Sequence, residues 1–231
     1  MIQNQIIFQK QISSISERDA ARLSQMDTQA LTTAGNIHHV PPGTRILFQG
    51  DVCKNGYVIQ SGIVRVSYEL ADGRRQILGF YSNGNLLGFS GKKTYPYSVD
   101  ALTDCHLLQF EVRNFQSFLI NHPNIQNKFL LNSLCEIQLL QRHLIGAVKF
   151  DIISRTVQFI AESCACVQYF DHATHILKLP MNRRDIADYI GISYESLSRA
   201  MAVLERKGFI RRLEAGEIYV ENSLLQYIYS Y

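Results

Sequence analysis

At 231 residues the chain is long enough for one large or two modest domains. Hydrophobic residues make up 46% of it, which supports a packed core and excludes global disorder. A net charge of +3 is too small to announce a nucleic-acid partner by itself, no window approaches the ~20 apolar residues of a membrane span, and five scattered cysteines suit a reducing cytoplasm better than a disulfide framework.

The chain opens on MIQNQIIFQK, which lacks the basic start and long apolar run of a signal peptide, so none is expected. Met1 to Ala34 is polar, with weak helical periodicity after Ser16 at Leu23 and Met26. It reads as a leading helix that packs on the stretch C-terminal to it. Gly35 to Phe110 has strand grammar. Apolar runs at Arg45-Ile46-Leu47-Phe48, Tyr57-Val58-Ile59, Ile63-Val64-Arg65-Val66 and Gln76-Ile77-Leu78-Gly79-Phe80 alternate with turn signals. Such spacing predicts a β-sandwich or jelly roll. Asp72-Gly73 predicts a hairpin turn. The stretch resembles the β-roll of the cyclic-nucleotide-binding-domain superfamily. The matching marks are Phe48-x-Gly50-Asp51, Gly56-Tyr57-x-Ile59-x-Ser61-Gly62-x-Val64, Asp72-Gly73-Arg74 and Gly84-x-x-x-Gly88.

Glu111 to Asn121 reads as a short helix with Val112, Phe115 and Leu119 on one face. Pro123 then permits a new helix start. From Asn124 to Val148, Leu130, Leu134, Ile137, Gln141, Leu144 and Val148 step by four and three alternately. That is an a/d seam, which predicts a coiled-coil partner; the alternative is a helix packed only on its own roll. Asp151 begins another helix (Ile153, Val157, Ile160) after a hinge near Phe150, and His175 to Leu179 reads as a strand.

Arg183 to Arg199 reads as two short helices joined by a tight turn. Ala187, Ile190 and Leu197 let them cross closely. Gly191 sits where the turn needs positive φ, and Ser193 can cap the second helix. Leu197, Met201 and Leu204 form that helix's inner stripe. Glu195, Ser198 and Arg199 share another face, with an acceptor, a small hydroxyl and a bidentate donor of the kind that read base edges. A two-strand wing comes next, Arg211-Arg212-Leu213 and Ile218-Tyr219-Val220, turning at Glu214-Ala215-Gly216, and Asn222 to Tyr229 reads as a last helix. Ile176 to Arg212 holds eight Lys/Arg and four Asp/Glu, a local excess of four positive charges suited to phosphate contact.

Sensor roll, long helix and winged helix-turn-helix, in that order, resemble the Crp–Fnr family of bacterial transcription regulators over nearly the whole chain after the leader. The fold class is therefore α+β. The expected domains are a β-roll over 1–122, a dimerisation helix over 123–149 and a winged helix-turn-helix over 150–231. The resemblance implies a cytoplasmic homodimer on palindromic promoter sites in double-stranded DNA, with RNA polymerase as a partner. Glu195, Ser198 and Arg199 match the Glu-x-x-Ser-Arg of Fnr- and FixK-like branches, which implies sites close to TTGAT…ATCAA. Tyr194 stands where the cAMP receptor branch keeps arginine. Arg183, Arg184, Ser193, Tyr194, Glu195, Ser198, Arg199, Arg211 and Arg212 are the candidate DNA-binding residues.

The sensor end departs from the ligand classes of the family. Cyclic-nucleotide binders use a Gly-Glu pair for ribose and an Arg-Ser/Thr pair for phosphate. Here stand Gly88-Phe89 and then Tyr95-Pro96-Tyr97, with Lys92 and Lys93 in a solvated loop. No cysteine precedes Cys53, and Leu108 replaces the roll cysteine that an iron–sulfur relative would need. His38, His39, His106, His122 and His143 are haem-ligand candidates. Cys164-x-Cys166 with His172 and His175 is a metal or redox candidate, but two cysteines one residue apart on a helix point in different directions, and the favoured reading is small buried residues at a helix end. The expectation is no cofactor and no metal, with activity set by abundance, oxidation or an unidentified ligand. The alternatives are a cyclic-nucleotide- or haem-responsive regulator of this family, or a regulatory module of a signalling enzyme. No nucleophile elbow, P-loop or HExxH site marks an enzyme.

Overall fold

The computed structural model describes residues 25–89, 91–166 and 168–229. They fall into two compact units, one ending at Glu136 and the other beginning at Ile137. The first contains α1 (Gln25–Ala34), then β1 (Asn36–Val40), β2 (Arg45–Leu47), β3 (Asn55–Ser61), β4 (Val64–Glu69), β5 (Arg75–Tyr81), β6 (Leu86–Leu87), β7 (Ser98–Ala101) and β8 (Cys105–Glu111). Next come α2 (Val112–Asn121) and the first half of α3 (Pro123–Lys149). The strands make two antiparallel sheets, in the orders β1-β8-β3-β6 and β2-β7-β4-β5. Asp72-Gly73 turns the β4–β5 hairpin, where Leu70 N–H donates to Arg74 O at 2.8 Å.

Successive strand residues point to opposite faces, and β8 buries both. Leu107 packs with Ile59, Val64, Val66, Leu87 and Val99 in a core drawn from both sheets. Leu108 and Phe110 pack with Val58 on the other face, which Leu31, Phe115, Ile125 and Phe129 of the helices cover. The leading helix therefore does dock here, but not through Met26. That side chain is 82% exposed, whereas Leu31 is buried. Leu23 lies outside the described residues. Lys128 on α3 pairs with Asp27 on α1.

The second unit takes the rest of α3, then α4 (Ile152–Cys164), β9 (Phe170–Asp171), β10 (Ile176–Leu177), α5 (Arg183–Ile190), α6 (Tyr194–Arg206), β11 (Ile210–Arg212), a 3-10 turn at Glu214–Gly216, β12 (Ile218–Val220) and α7 (Asn222–Tyr229). The expected wing is wider than two strands, with the order β11-β12-β10-β9. Asp151 caps α4 by accepting from Ser154 N–H at 2.7 Å. Arg155 closes the end of α3, donating to Ala147 O at 2.6 Å and Phe150 O at 3.0 Å. On α3, His143 packs its ring on Tyr189 of α5, with centroids 4.5 Å apart. Burial holds that imidazole below its ordinary pKa.

Strand β7 reads Ser98-Val99-Asp100-Ala101 and is buried throughout, which local pattern does not announce. Asp100 is housed by two cations from flanking strands. Arg45 Nε donates to Oδ1 at 2.7 Å, and Arg65 Nη2 to Oδ2 at 2.8 Å. Arg45 also reaches Glu69 Oε1 at 2.8 Å. Burial pushes the Asp100 carboxyl up, but these hydrogen bonds outweigh it and leave the group below its ordinary 3.8. Asp100→Ala should therefore destabilise the roll by roughly 2–4 kcal/mol, less than a fully buried pair because Arg45 keeps Glu69 and some water. Because the folded carboxyl titrates below the unfolded one, its contribution is present above the unfolded value and fades as pH falls through the folded one. Urea unfolding should show the gap between wild type and variant at pH 7 and a narrowing below about pH 4. A gap independent of pH would exclude the carboxylate as its source.

Candidate nucleic-acid interface

The helix-turn-helix is built from its turn outward. Asn182 caps α5 by accepting from Asp185 N–H at 2.9 Å. Gly191 ends that helix at φ 71°, a left-handed conformation in which a side chain is strained. Residues 191–193 complete the turn, and Ser193 Oγ accepts from Ser196 N–H at 3.1 Å to start α6. Ala187, Ile190, Leu197, Met201 and Leu204 are buried at the crossing, as their spacing predicts.

The opposite side of α6 is open. Tyr194, Glu195 and Arg199 are exposed, and Ser198 is half-buried. Neither Glu195 nor Arg199 sits in an ion pair among the described residues. Arg199 Nη2 donates to Ser196 Oγ at 3.1 Å, which leaves most of its fork unused. Arg183 and Arg184 occupy the first turn of α5. Two cations at the positive end of a helix oppose its dipole, a local cost that an anion placed beyond them would remove.

The wing arginines are placed differently. Arg211 Nε donates to Glu221 Oε1 at 2.8 Å, and its guanidinium lies 4.3 Å from the centre of the Tyr219 ring. Arg212 grips Glu205 near the end of α6, through its backbone N–H at 3.1 Å and its Nε at 2.7 Å. Lys178 pairs with Glu217 at 2.8 Å. Glu221, Glu205 and Glu217 thus hold the nearby cations. The sequence points to the arginines but not to these partners, since i to i+7 and i to i+10 pairs across a turn leave no local signature.

On α3 the seam residues Leu130, Leu134, Ile137, Gln141, Leu144 and Val148 are all exposed or partly so, each aliphatic one by 47% or more. Ile125 and Phe129, on the other side of the same helix, are buried against the roll.

At the sensor end the loop after β6 is filled by its own aromatic residues. Tyr95 is buried, and its hydroxyl donates to Asn55 O at 2.7 Å while accepting from Asn55 N–H at 3.1 Å. Tyr97 accepts from Gly88 N–H at 3.1 Å, and Cys53 donates to Gly88 O at 3.0 Å. A Cβ on Gly56 would lie 2.1 Å from the Phe89 ring, so glycine there makes room for that phenylalanine. On α3, Asn132 donates to Gly84 O at 3.0 Å, and Glu136 accepts from Asn85 Nδ2 at 2.7 Å. Lys92 and Lys93 lie on the exposed part of this loop.

Of the histidine candidates, His38 is exposed, His143 packs on Tyr189 as described above, and the other three meet polar groups of the protein. His39 meets Asp104 at 3.2 Å, His106 meets Ser61 at 3.0 Å, and His122 meets Phe118 O at 2.8 Å. Leu108, in place of the roll cysteine, is fully buried. Cys164 is buried, and that burial pushes its thiol up to about 12, which disfavours the thiolate. Among the described residues no group of three His, Cys, Asp or Glu is arranged to hold a metal ion, and no helix is long and apolar enough to cross a membrane.

Comparison with known proteins agrees with this geometry. Residues 37–122 match the cyclic nucleotide-binding domain, and residues 154–223 match the Crp-like helix-turn-helix domain. The nitrogen fixation regulation protein FixK of Rhizobium meliloti strain 1021 is 30% identical over 177 residues, 77% of this chain and 79% of that protein. FixK of Bradyrhizobium diazoefficiens is 27% identical over 201 residues, 87% of this chain and 83% of that one. The solved structure of FixK2 from Bradyrhizobium japonicum superposes with a TM-score of 0.71 at 22% identity, covering 83% of this chain and 96% of that one. By the match to its relatives over most of its length, the chain belongs to the Crp–Fnr family of helix-turn-helix transcription regulators.

Proposed function

We propose that the chain works in the cytoplasm as a homodimer on a TTGAT…ATCAA-like palindrome, by binding and not by catalysis, with RNA polymerase as its partner at promoters. The observation that carries this reading is the Glu195–Ser198–Arg199 face, whose charged groups sit in no ion pair among the described residues, on a helix whose other side is packed. In a major groove, Arg199 forks to guanine O6 and N7, and Glu195 accepts from a cytosine amino group. Tyr194 and Ser193 stand at the leading end of the helix. Arg183 and Arg184 supply phosphate contacts at the start of α5. Arg211 and Arg212 touch phosphate from the wing while remaining braced by their glutamates.

The exposed aliphatic seam on α3 supports the dimer. Burying each such side chain is worth roughly 1.5–3 kcal/mol. A two-fold pair of seams places one recognition helix on each half-site. The domain boundaries that suit this reading are 1–122 for the roll, 123–149 for the dimer helix and 150–231 for the reader. FixK-type relatives of the chain, named as regulation proteins, support the functional class.

Leu134→Lys with Ile137→Lys should give monomers that no longer bind DNA. An unchanged dimer in sedimentation would remove the seam from the interface. Arg199→Ala should cost roughly 2–6 kcal/mol on the full palindrome, since one bidentate contact is worth roughly 1–3 kcal/mol and each dimer makes two. On a scrambled duplex it should cost little. Anisotropy titrations on both duplexes test this, and equal loss on both would refute base readout by Arg199.

With Phe89, Tyr95 and Tyr97 filling the loop, the roll should not take a cyclic nucleotide. A buried phosphate there would lack a fork donor and would have to displace three satisfied hydrogen bonds. Calorimetry with cAMP and cGMP should register no heat of binding at micromolar concentrations, and a micromolar affinity for either would overturn the closed-loop reading.

A further inference from the structure

We infer that Ser196 is a positioning residue for base readout, one that holds the guanidinium of Arg199 in its groove-facing orientation. Three contacts converge on it. Its backbone N–H donates to Ser193 Oγ at 3.1 Å, the bond that caps α6. Its own Oγ accepts from the Ser193 hydroxyl at 3.0 Å. The same Oγ accepts from Arg199 Nη2 at 3.1 Å. Both lone pairs of the Ser196 hydroxyl are thereby used, and the hydroxyl chain runs from the helix cap to the reading arginine.

The chemistry suits the role. An arginine side chain has many rotamers, and a reader must fix one of them before it can discriminate. A guanidinium carries five N–H donors. One is given to Ser196, and a fork of two remains for guanine O6 and N7. A hydroxyl holds the guanidinium without neutralising it, as a carboxylate would, so the charge stays available to the groove. Glu205 does the opposite to Arg212, and Glu221 to Arg211. Water surrounds the Ser196–Arg199 bond in the free protein. In the groove water is excluded and the bond strengthens where discrimination is set.

This inference rests on the assignment of Arg199 as the base reader, and the test separates the two. Wild type, Ser196→Ala, Ser196→Thr, Arg199→Ala and the double variant Ser196→Ala/Arg199→Ala are titrated on the TTGAT…ATCAA duplex and on a scrambled one. Ser196→Ala keeps the capping amide, so the fold should hold, and scrambled-duplex affinity should stay within about twofold of wild type. Its preference for the palindrome should fall by about threefold per half-site, or about tenfold overall, the scale of one modest hydrogen bond used twice. Ser196→Thr, which retains the hydroxyl, should restore the preference. In the Arg199→Ala background, Ser196→Ala should have no further effect.

An equal loss on both duplexes would mark Ser196 as a phosphate contact or a folding residue and overturn the inference. So would an unchanged preference, a threonine variant that behaves like alanine, or an undiminished effect in the absence of Arg199. A preference abolished by Arg199→Ala yet intact in Ser196→Ala overturns this inference alone. A wild type that does not distinguish the duplexes overturns the Arg199 reading and this one together.

Discussion

The left-handed backbone at Gly191 decides what the second unit can show to a groove. At φ 71° a residue with a Cβ would carry about 1–2 kcal/mol of strain, and the chain could not leave α5 in this direction without it. Two residues later Ser193 fixes the start of α6, a cap worth about 1 kcal/mol. Those constraints set the crossing of the two helices. Ala187, Ile190 and Leu197 go inside, and Glu195 and Arg199 stay outside by helical arithmetic alone. The buried side and the open side of α6 are therefore one decision, taken in three residues.

Charge is distributed in the same unit with a consistent asymmetry. Cations beside the sheet and on the wing are held by Glu205, Glu217 and Glu221. On the open face of α6, Arg199 meets no carboxylate in an ion pair among the described residues and donates to the Ser196 hydroxyl instead. Exposed pairs such as those of the wing contribute little to stability, at most about 1 kcal/mol. Their effect is on shape: they fix the wing against α6 through Arg212 and Glu205 and leave positive charge where the helix presents it.

Much of this was legible in the chain, and the exceptions have physical reasons. The helix-turn-helix carries its own punctuation, so Gly191 and Ser193 identify it locally. The long helix is announced by aliphatic spacing, and the central strands by glycine turns. Strand β1 reads Asn-Ile-His-His-Val and is exposed along almost all of its length, so it lacks the alternation that marks a half-buried strand. Strand β7 hides a buried aspartate whose partners lie 55 and 35 residues away. In the leading helix the weak period at Leu23 and Met26 fits more than one face, and the position of the roll selects Leu31. The α3 seam was visible; that α3 also buries Ile125 and Phe129 on another side depends on the roll being there to receive them.

The sheet edges carry a consequence for how far self-association can go. Among the described residues, five of the six outer strands, β1, β2, β6, β9 and β11, have five residues or fewer. The longer β5 lies opposite a register irregularity at Val66/Ser67. Short or irregular edges are poor templates for strand addition from another molecule. The aliphatic stripe on α3 can satisfy itself with one identical stripe about a two-fold axis, after which that stripe has nothing left with which to recruit a third chain. Growth into fibres needs an open, repeating contact, and the backbone edges of this fold offer little of one. In the dimer proposed above, assembly therefore ends at the closed pair.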